Sequence, residues 1–524
     1  MEQVKLYDTT LRDGMGGQGM SLSVGEKLKV VHALDALGVQ FIEAGFPSSN
    51  PKEVELFELL AEQELKQATI AAFGMTRRRD RKAEDDEALA VVTGSFAPVV
   101  CLVGKSWRLH LEKVTKVSDE ENLAMIAESI AFCRERGKRP VFDAEHFFDG
   151  YRDDSAYALE CVRAAADAGA ENVTLCDTNG GSLPGFVAAT TAAVVDAVGD
   201  AVEIGIHTHN DAECAVANSL AAVEAGARLV QGCVNGYGER CGNANLASIL
   251  PALQLKMGFA VVSDEQLANL APTSHYLDEL CNMTPNPDRA YVGRNAFAHK
   301  AGMHAAGVAA DARTFEHLDP AEVGNERDIL ASELSGKATI RSQAERAGLE
   351  LDDAAAAHAV ERLKEREHRG YHYEAAQASF ELLLRREAEV FEPLFELESF
   401  RVTTEKREGG RVETEATIKV VIDGERYVEV AEGNGPVNAL DTALRAAIGA
   451  RHPHLRDIEL TNYKVRILDE SHGTGAVTRV LLDSTDGKRE WGTIGVSENI
   501  IEASWEALVD SLAYAFQPAD GPET

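Results

Sequence analysis

Two histidines near the middle of the chain have the spacing of a metal-binding pair. His207 and His209 are two residues apart in the apolar run VEIGIHTH, so a strand would project both imidazoles to the same face. Imidazoles paired in this way can bind one divalent ion, and Asp13 could add a hard anionic oxygen. The alternative is a pair of hydrogen-bonded core histidines. The polar residues around the pair decide between these two interpretations.

Polar residues gather at the carboxyl ends of nearly all the apolar runs in the first half of the chain. They are Arg12 and Asp13, Glu43, Glu145, Asp177 and Thr178, the run from His207 to Asp211, and, beyond the eighth apolar run, Glu239, Arg240, Asn243 and Asn245. In a barrel of parallel strands this end carries the chemistry. We therefore favour a metal site at the histidine pair. Glu145 could act as a general base or as the partner of a nearby cation.

The same apolar runs recur at a steady spacing and alternate with helix-like segments. Eight runs begin at residues 4, 39, 68, 97, 139, 172, 202 and 228. Segments such as SVGEKLKVVHALDALG lie between them, with apolar residues at helical spacing and a glycine stop. Eight strands alternating with eight helices predict an α/β fold, a (β/α)8 TIM barrel over residues 1–260. A doubly wound sheet is the alternative, but it would normally have fewer strands.

Two further regions follow the predicted barrel. Residues 261–395 are predicted to form helical linker subdomains, as in the segment DDAAAAHAVERLKEREH. Residues 396–524 are predicted to form a C-terminal α+β domain, because EVAEGNGPVNALDTAL aligns with TIGVSENIIEASWEAL and one β-β-β-α unit is thus used twice. Two copies that small would pack together or against another subunit. We predict a regulatory or dimerisation domain.

The bulk composition argues against two classes of partner. The formal net charge is -34, and such a surface repels nucleic acid and anionic membranes. The segment MEQVKLYDTT lacks the basic and apolar regions of a signal peptide, and no apolar run approaches the length of a membrane span. We therefore expect a cytoplasmic protein with neither nucleic acid nor membrane as a partner.

Three motifs together point to a family. DTTLRDG, HTHND and GERCGNANL resemble the acyl-CoA-condensing, metal-dependent barrel family of 2-isopropylmalate, homocitrate and citramalate synthases. The resemblance spans the whole chain, including a doubled C-terminal domain like that family's leucine- or isoleucine-sensing region. Further segments, among them GFPSSNPKE, FDAEHFFDGY and GYHYEAAQASFELLLRRE, are similar to one subgroup, the long-form (R)-citramalate synthases.

The resemblance implies a metal site with four protein ligands. It implies that Asp13, His207 and His209 bind the metal and that Asn243 is a further oxygen ligand. Two imidazoles with a carboxylate and an amide oxygen suit Zn or Mn better than Ca, and Mg remains open.

The resemblance also implies roles around the substrates. Arg12 would stabilise negative charge developing on the substrate oxygen, and Glu145 and Thr178 would line the keto-acid site. His304 would be the base that acts on acetyl-CoA.

Three more residues complete the predicted site. Glu43 and His110 would be supporting polar groups in the pocket. Arg77 begins the dense basic cluster RRR just past the third strand and could meet a substrate carboxylate or the coenzyme A phosphates. A solvated helix start is the alternative for this cluster.

The implied activity is a metal-dependent, Claisen-type condensation of acetyl-CoA with pyruvate, which gives (R)-citramalate and CoA for isoleucine synthesis. The nearest alternative is 2-isopropylmalate synthase, which acts on the bulkier 2-ketoisovalerate. A metal-dependent retro-aldol lyase is a second alternative. A non-catalytic sensor is a third, although it predicts loss of the metal and acid–base residues, and all of these are present. The resemblance further implies isoleucine as feedback effector and a homodimer.

The stretch GMGGQG, from Gly14 to Gly19, matches the G-x-G-x-x-G dinucleotide pattern. A Rossmann loop should lead to an acidic residue about 20 residues on, at the end of the second strand. Glu43 lies somewhat further and is better explained as an active-site carboxylate, so we reject the nucleotide interpretation. Relatives usually have glutamine where this chain has Gly16. Either Gln18 reaches back to replace that contact, or the contact is missing.

Overall fold

The computed structural model describes residues 2–300, 302–329, 336–406, 408–468 and 475–518. The chain divides into two compact units. The first comprises Met1–Phe297 and Leu318–Arg327, and the second Ala298–His317 and Asp328–Thr524. Our division of the sequence at residues 260 and 395 stays a prediction.

The first unit is built on a closed barrel of eight parallel strands that pair in chain order, the first strand closing on the last. The strands are β1 (Lys5–Asp8), β2 (Phe41–Gly45), β3 (Thr69–Met75), β4 (Val99–Lys105), β5 (Arg139–Glu145), β6 (Asn172–Asp177), β7 (Glu203–Thr208) and β8 (Leu229–Gly232). The predicted (β/α)8 barrel is confirmed.

Helices connect these strands and continue beyond the barrel. They are α1 (Val24–Leu37), α2 (Pro51–Leu60), α3 (Glu87–Gly94), α4 (Arg108–His110), α5 (Asp119–Glu135), α6 (Phe147–Asp153), α7 (Ser155–Asp167), α8 (Pro184–Val198), α9 (Ala215–Glu224), α10 (Leu246–Pro251), α11 (Asp264–Leu267) and α12 (Leu270–Leu280). Helix α1 shows how the sequence sets such bounds. Ser23 and Glu26 form a capping box at its start, and Gly38 ends it with a φ of 88°.

Successive side chains of each strand point alternately to the outside of the barrel, against the helices, and to the barrel interior. On β5, Phe142 and Ala144 pack outward in the large core between strands and helices. Val141 faces the barrel interior, where it joins a smaller cluster with Tyr7 and Cys101. Asp143 and Glu145 follow Val141 at intervals of two, so these carboxylates share its inward face. The barrel interior is thus apolar at one end and polar at the carboxyl end of the strands.

The second unit begins with short elements and helices. They are β9 (Ala298–His299), α13 (Gly302–Ala310), β10 (Asp328–Ile329), α14 (Lys337–Arg346), α15 (Asp353–His368) and α16 (Gln377–Glu387). Two three-stranded antiparallel sheets follow, each ending in a helix. The first repeat contains β11 (Glu396–Lys406), β12 (Val412–Ile422), β13 (Glu425–Gly433) and α17 (Pro436–Gly449). The second contains β14 (Glu459–Ile467), β15 (Thr478–Thr485), β16 (Glu490–Ser497) and α18 (Ile500–Phe516).

This order confirms the doubled β-β-β-α unit. The two repeats share one apolar core, in which Leu440 and Leu444 of α17 belong to the same cluster as Trp491 and Leu512 of the second repeat. No helix in the described part of the chain is long and apolar enough to cross a membrane.

Candidate active site and metal centre

The carboxyl ends of the barrel strands bring Asp13, His207 and His209 together. Asp13 Oδ2 lies 3.4 Å from His207 Nε2 and 3.6 Å from His209 Nε2. One candidate ligand atom from each residue lies within 4.8 Å of the others. Both imidazoles are buried. Among the residues that the structure describes, this is the one cluster of three or more His, Cys, Asp or Glu side chains with that geometry.

Asn243, in the loop after β8, lies next to this cluster, because a side-chain hydrogen bond from Asn243 helps to lower the pKa of Asp13. Its backbone bridges to His209, which fixes the loop against the end of β7. Its Nδ2 donates to the Tyr237 carbonyl at 3.1 Å, while its Oδ1 is buried without a hydrogen-bond partner among the described residues. An unsatisfied buried acceptor costs about 1–3 kcal/mol, and a coordinated cation would remove that cost. The donor set therefore fits a divalent metal ion.

The charges at this cluster suit ligation. Burial alone would raise the pKa of Asp13, but Arg12 and the two imidazoles hold it below its usual value. Burial lowers the pKa of His207 to about 3. At neutral pH Asp13 is therefore ionised and the His207 imidazole is neutral, which are the forms that bind metal.

Arg12 lies beside Asp13 and is held from two sides. Its Nη1 is 3.5 Å from Asp13 Oδ2, and its Nε donates to the Glu43 carboxylate in an ion pair. Glu43 is fully buried in the middle of β2, and its second oxygen accepts a hydrogen bond from the Tyr7 hydroxyl at 2.8 Å. The guanidinium carbon lies 4.0 Å over the Phe73 ring. These contacts fix the orientation of the guanidinium.

Glu145 and Thr178 lie at the ends of neighbouring strands of the same barrel face. Glu145 forms an ion pair with Lys105, its register partner at the end of β4. Glu145 therefore has the cationic partner that was one of its two predicted roles, and its catalytic role stays a prediction. Thr178 Oγ1 accepts a hydrogen bond from the His146 backbone at 2.9 Å, and the Thr178 carbonyl accepts one from Arg240 at 2.7 Å.

His110 lies in an aromatic group near Glu145. Its ring is 4.2 Å from the His146 ring and 5.3 Å from the Trp107 ring, measured between centroids. Burial, helped by the proximity of His146 and Lys105, lowers the pKa of His110. The imidazole therefore tends to stay neutral.

Two further predicted residues make contacts with other groups. Arg77 is only 4% exposed, and its guanidinium pairs with Glu121 at 2.7 Å and Glu128 at 2.6 Å. These contacts give Arg77 a structural role, and contact with a ligand stays a prediction. His304 belongs to α13 in the second unit, is exposed, and stacks on Phe315 with ring centroids 4.2 Å apart.

Sequence reasoning missed three polar residues of the barrel strands, of which Asp143 and Gln231 are buried and Lys105 is partly buried. Lys105 ends β4, and the strand-end criterion that found Glu145 would also have found it. Asp143 and Gln231 lie within strands among apolar neighbours. A polar residue inside a buried strand is itself a signal, because buried polar groups need partners.

The structure also accounts for the space at Gly16. A Cβ atom added there would lie 2.7 Å from Glu239 Cγ, so Glu239 fills the volume next to this position. Gln18 is exposed. A side chain at position 16 would require Glu239 to move.

The fold and the site define a class. Residues 3–275 match the HMGL-like family, whose members depend on a divalent metal. Residues 291–370 match the homocitrate synthase post-HMGL domain-like family, and residues 374–516 match the LeuA allosteric (dimerisation) domain. The chain is thus an HMGL-like barrel protein with a LeuA-type C-terminal domain.

Relatives that match this chain over nearly its full length show which family within this class it belongs to. An (R)-citramalate synthase of Synechocystis is 47% identical over 98% of this chain and 96% of its own length. An (R)-citramalate synthase of Aquifex aeolicus is 45% identical over 98% of both chains. A probable 2-isopropylmalate synthase of Methanopyrus kandleri is 34% identical over 97% of both chains. The chain belongs to the (R)-citramalate synthase family, which confirms the resemblance seen in its motifs.

Proposed function

We propose that this protein condenses acetyl-CoA with pyruvate to give (R)-citramalate and CoA. The observation that carries the proposal is the site geometry, in which Asp13, His207 and His209 converge beside a fixed Arg12. Identities of 42–47% to curated (R)-citramalate synthases, against 34% to the probable 2-isopropylmalate synthase, favour pyruvate as the acceptor.

Asp13, His207, His209 and Asn243 would hold the divalent ion. Such an ion, when bound, acts as a Lewis acid on the carbonyl of a 2-keto acid and orients it. We propose Zn or Mn, with Mg as the further candidate, because the donor set combines imidazole nitrogens with oxygens.

Arg12 would stabilise the charge that develops on the C2 oxygen of pyruvate. Because Glu43 and Phe73 already fix its guanidinium, no reorganisation is needed as the charge forms. Glu145 and Thr178 would line the keto-acid site from the ends of β5 and β6.

His304 is proposed to remove a proton from the acetyl methyl group. The enolate carbon then forms a bond to C2 of pyruvate, and the carbonyl electron pair becomes an alkoxide that takes up a proton. Water hydrolyses the thioester, which releases CoA as the thiol and gives the second carboxylate of citramalate. Hydrolysis makes the sequence irreversible.

A thiol-release assay tests the function. Metal-loaded protein with acetyl-CoA is given pyruvate or 2-ketoisovalerate, and the configuration of the product is determined by chiral chromatography. We expect pyruvate to give the higher kcat/KM and (R)-citramalate to be the product. A preference for 2-ketoisovalerate would indicate 2-isopropylmalate synthase, and cleavage of a carbon–carbon bond without acetyl-CoA would indicate a lyase. The variant Asp13→Asn serves as the control for metal-dependent turnover.

Isoleucine is the proposed feedback effector and a homodimer the proposed assembly. The support is the match of residues 374–516 to an allosteric, dimerising domain and the doubled β-β-β-α unit found there. We expect isoleucine, but not alanine at the same concentration, to inhibit thiol release and to raise the melting temperature. Light scattering should give twice the 56.5 kDa mass of the chain. If isoleucine neither inhibits thiol release nor shifts the melting temperature, the effector proposal is contradicted.

A further inference from the structure

Gln231, in β8, links a candidate metal ligand to a buried carboxylate. Its Oε1 lies 3.1 Å from His207 Nδ1. Its Nε2 donates to Asp143 Oδ1 at 2.8 Å and to Thr174 Oγ1 at 3.3 Å. All four residues are buried. The oxygen and both N–H groups of the amide therefore have partners.

The hydrogen-bond partners of Gln231 Nε2 fix the orientation of the Gln231 side-chain amide. Asp143 is an acceptor there, and it also accepts a hydrogen bond from the Cys101 thiol. The Thr174 hydroxyl donates to Asn172 Oδ1 at 2.8 Å, which leaves its lone pairs to accept from Gln231. A flipped amide would set its oxygen against the Asp143 carboxylate, and two acceptors repel. Oε1 must therefore face His207.

Gly205 makes room for this arrangement. It lies on β7, two residues before His207, on the same face of the strand. A Cβ atom at this position would lie 2.7 Å from Thr174 Oγ1 and 2.8 Å from Asn172 Oδ1. The hydroxyl and amide that support Gln231 occupy the space that any other residue would fill.

We propose that Asp143 and Gln231 are positioning residues that select the tautomer of His207. An amide oxygen can only accept, so His207 Nδ1 must carry the proton and donate it to Gln231. His207 Nε2 then keeps its lone pair, and this nitrogen is the one that lies 3.4 Å from Asp13 Oδ2. Only the nitrogen with a lone pair can bind a cation. The inference rests on the metal site assigned under the proposed function.

The variant Asp143→Asn tests the inference directly. Its amide can donate to Gln231 Oε1, which lets Gln231 rotate and present its N–H to His207 Nδ1. His207 would then carry its proton on Nε2, where the metal should bind. We expect the affinity of the metal-free protein for Mn²⁺ or Zn²⁺, measured by calorimetry without substrate, to fall about 10- to 100-fold. Measurement at pH 8 keeps Asp143 ionised in the parent protein, because burial and the Glu43 charge raise its pKa to about 7.

A compensating double variant separates positioning from packing. When Asp143→Asn is combined with Gln231→Glu, the amide introduced at position 143 donates to the carboxylate introduced at position 231, whose other oxygen again accepts from His207 Nδ1. The proposal expects metal affinity to recover to within a few-fold of the parent value, whereas a packing role predicts that the two losses add. Thr191→Val is the matched control, since Thr191 is buried in α8 and its hydroxyl lacks a partner among the described residues.

A measurement on the parent protein keeps the inference testable if a variant fails to fold. In protein labelled with ¹⁵N-histidine, the His207 resonance of the metal-free form should show a protonated Nδ1 and an unprotonated Nε2. The opposite tautomer in the parent protein would overturn the proposal. So would a metal affinity of Asp143→Asn equal to that of the parent, or a double variant whose metal affinity does not exceed that of the weaker-binding of the two single variants. Because no readout requires turnover, an error in the assigned keto acid leaves this result unaffected.

Discussion

Arg12, in the loop after β1, forms an ion pair with Glu43 of β2, and the Glu43 carboxylate is fully buried. The second carboxylate oxygen accepts the Tyr7 hydroxyl at 2.8 Å, so both oxygens of Glu43 are satisfied. A buried carboxylate held in this way keeps the guanidinium beside Asp13 without leaving a free negative charge in the pocket. Glu43 thus acts through Arg12, as a positioning residue.

The variant Glu43→Gln should therefore lose stability and activity together. Removing one partner of a buried ion pair costs about 3–5 kcal/mol, and the lower part of that range applies because Arg12 retains some solvent contact. We expect a lower unfolding free energy in denaturant titrations and a lower kcat/KM for thiol release. Tyr7→Phe is the control, since it removes one hydrogen bond to a charged group, about 1.5–3 kcal/mol, and leaves the ion pair intact. An unchanged kcat/KM in Glu43→Gln would contradict the positioning role.

Removal of the metal should abolish turnover and lower the melting temperature. A ligand present at 100 times its Kd stabilises a protein by about 2.7 kcal/mol, which is the expected difference between chelated and metal-loaded protein under that condition. The variant Asp13→Asn should lose most of this stabilisation. His304→Gln should keep the metal-dependent rise in melting temperature while losing thiol release, because His304 is proposed to act on acetyl-CoA and not on the metal. Equal melting temperatures with and without metal would count against the site.

The group around His110 should make stability depend on pH. Burial, His146 and Lys105 lower the pKa of His110 in the folded state, while Glu145 and Asp149 oppose this. Between the lowered value and the unfolded value near 6.5, the unfolded chain binds more protons. The contribution of neutral His110 to the free energy of unfolding is therefore fully present above about pH 6.5, and it is lost as the pH falls below that value.

We expect His110→Gln to reduce the fall in melting temperature between pH 7.5 and pH 5.5. His32→Gln, at an exposed position on α1, should keep the parent profile. If both variants followed the parent protein across this range, His110 would have no part in the acid sensitivity.

Much of the fold and the centre of the site followed from local sequence signals. Eight apolar runs with helical segments between them specify a barrel, and parallel strands bring their carboxyl ends together, so Asp13 and His207 could be expected to meet. Pairings that depend on register or on packing could not be predicted in this way. Lys105 faces Glu145 because of the alignment of β4 with β5, and Arg77 meets carboxylates of α5. Glu239 fills the space beside Gly16 through a contact between the first and the last loops of the barrel.

Ser379 connects α16 to the second repeat and offers a test of stability away from the barrel. Its hydroxyl donates to Asp510 Oδ2 on α18 at 2.8 Å and accepts from the Ile494 backbone N–H at 3.1 Å. Among the strands that the structure describes, β16 pairs only with β15 and is an edge strand, so this N–H depends on a partner other than a strand. Arg386, also on α16, adds a 3.2 Å ion pair to the same carboxylate. Helix α16 therefore supplies hydrogen-bond partners both to a backbone N–H of the edge strand β16 and to the buried Asp510 carboxylate.

The variant Ser379→Ala should leave the buried Ile494 N–H without a partner, at about 1–3 kcal/mol, and should remove one hydrogen bond from Asp510, which keeps its ion pair with Arg386. We expect a lower melting temperature by calorimetry and an unchanged kcat below the transition, because these contacts lie within the second unit. Thr442→Val is the control, since its hydroxyl bonds the Asn438 carbonyl at an exposed position on α17 and should cost little. A melting temperature for Ser379→Ala equal to that of Thr442→Val would show that water replaces the lost hydroxyl and that α16 does not protect the edge of β16.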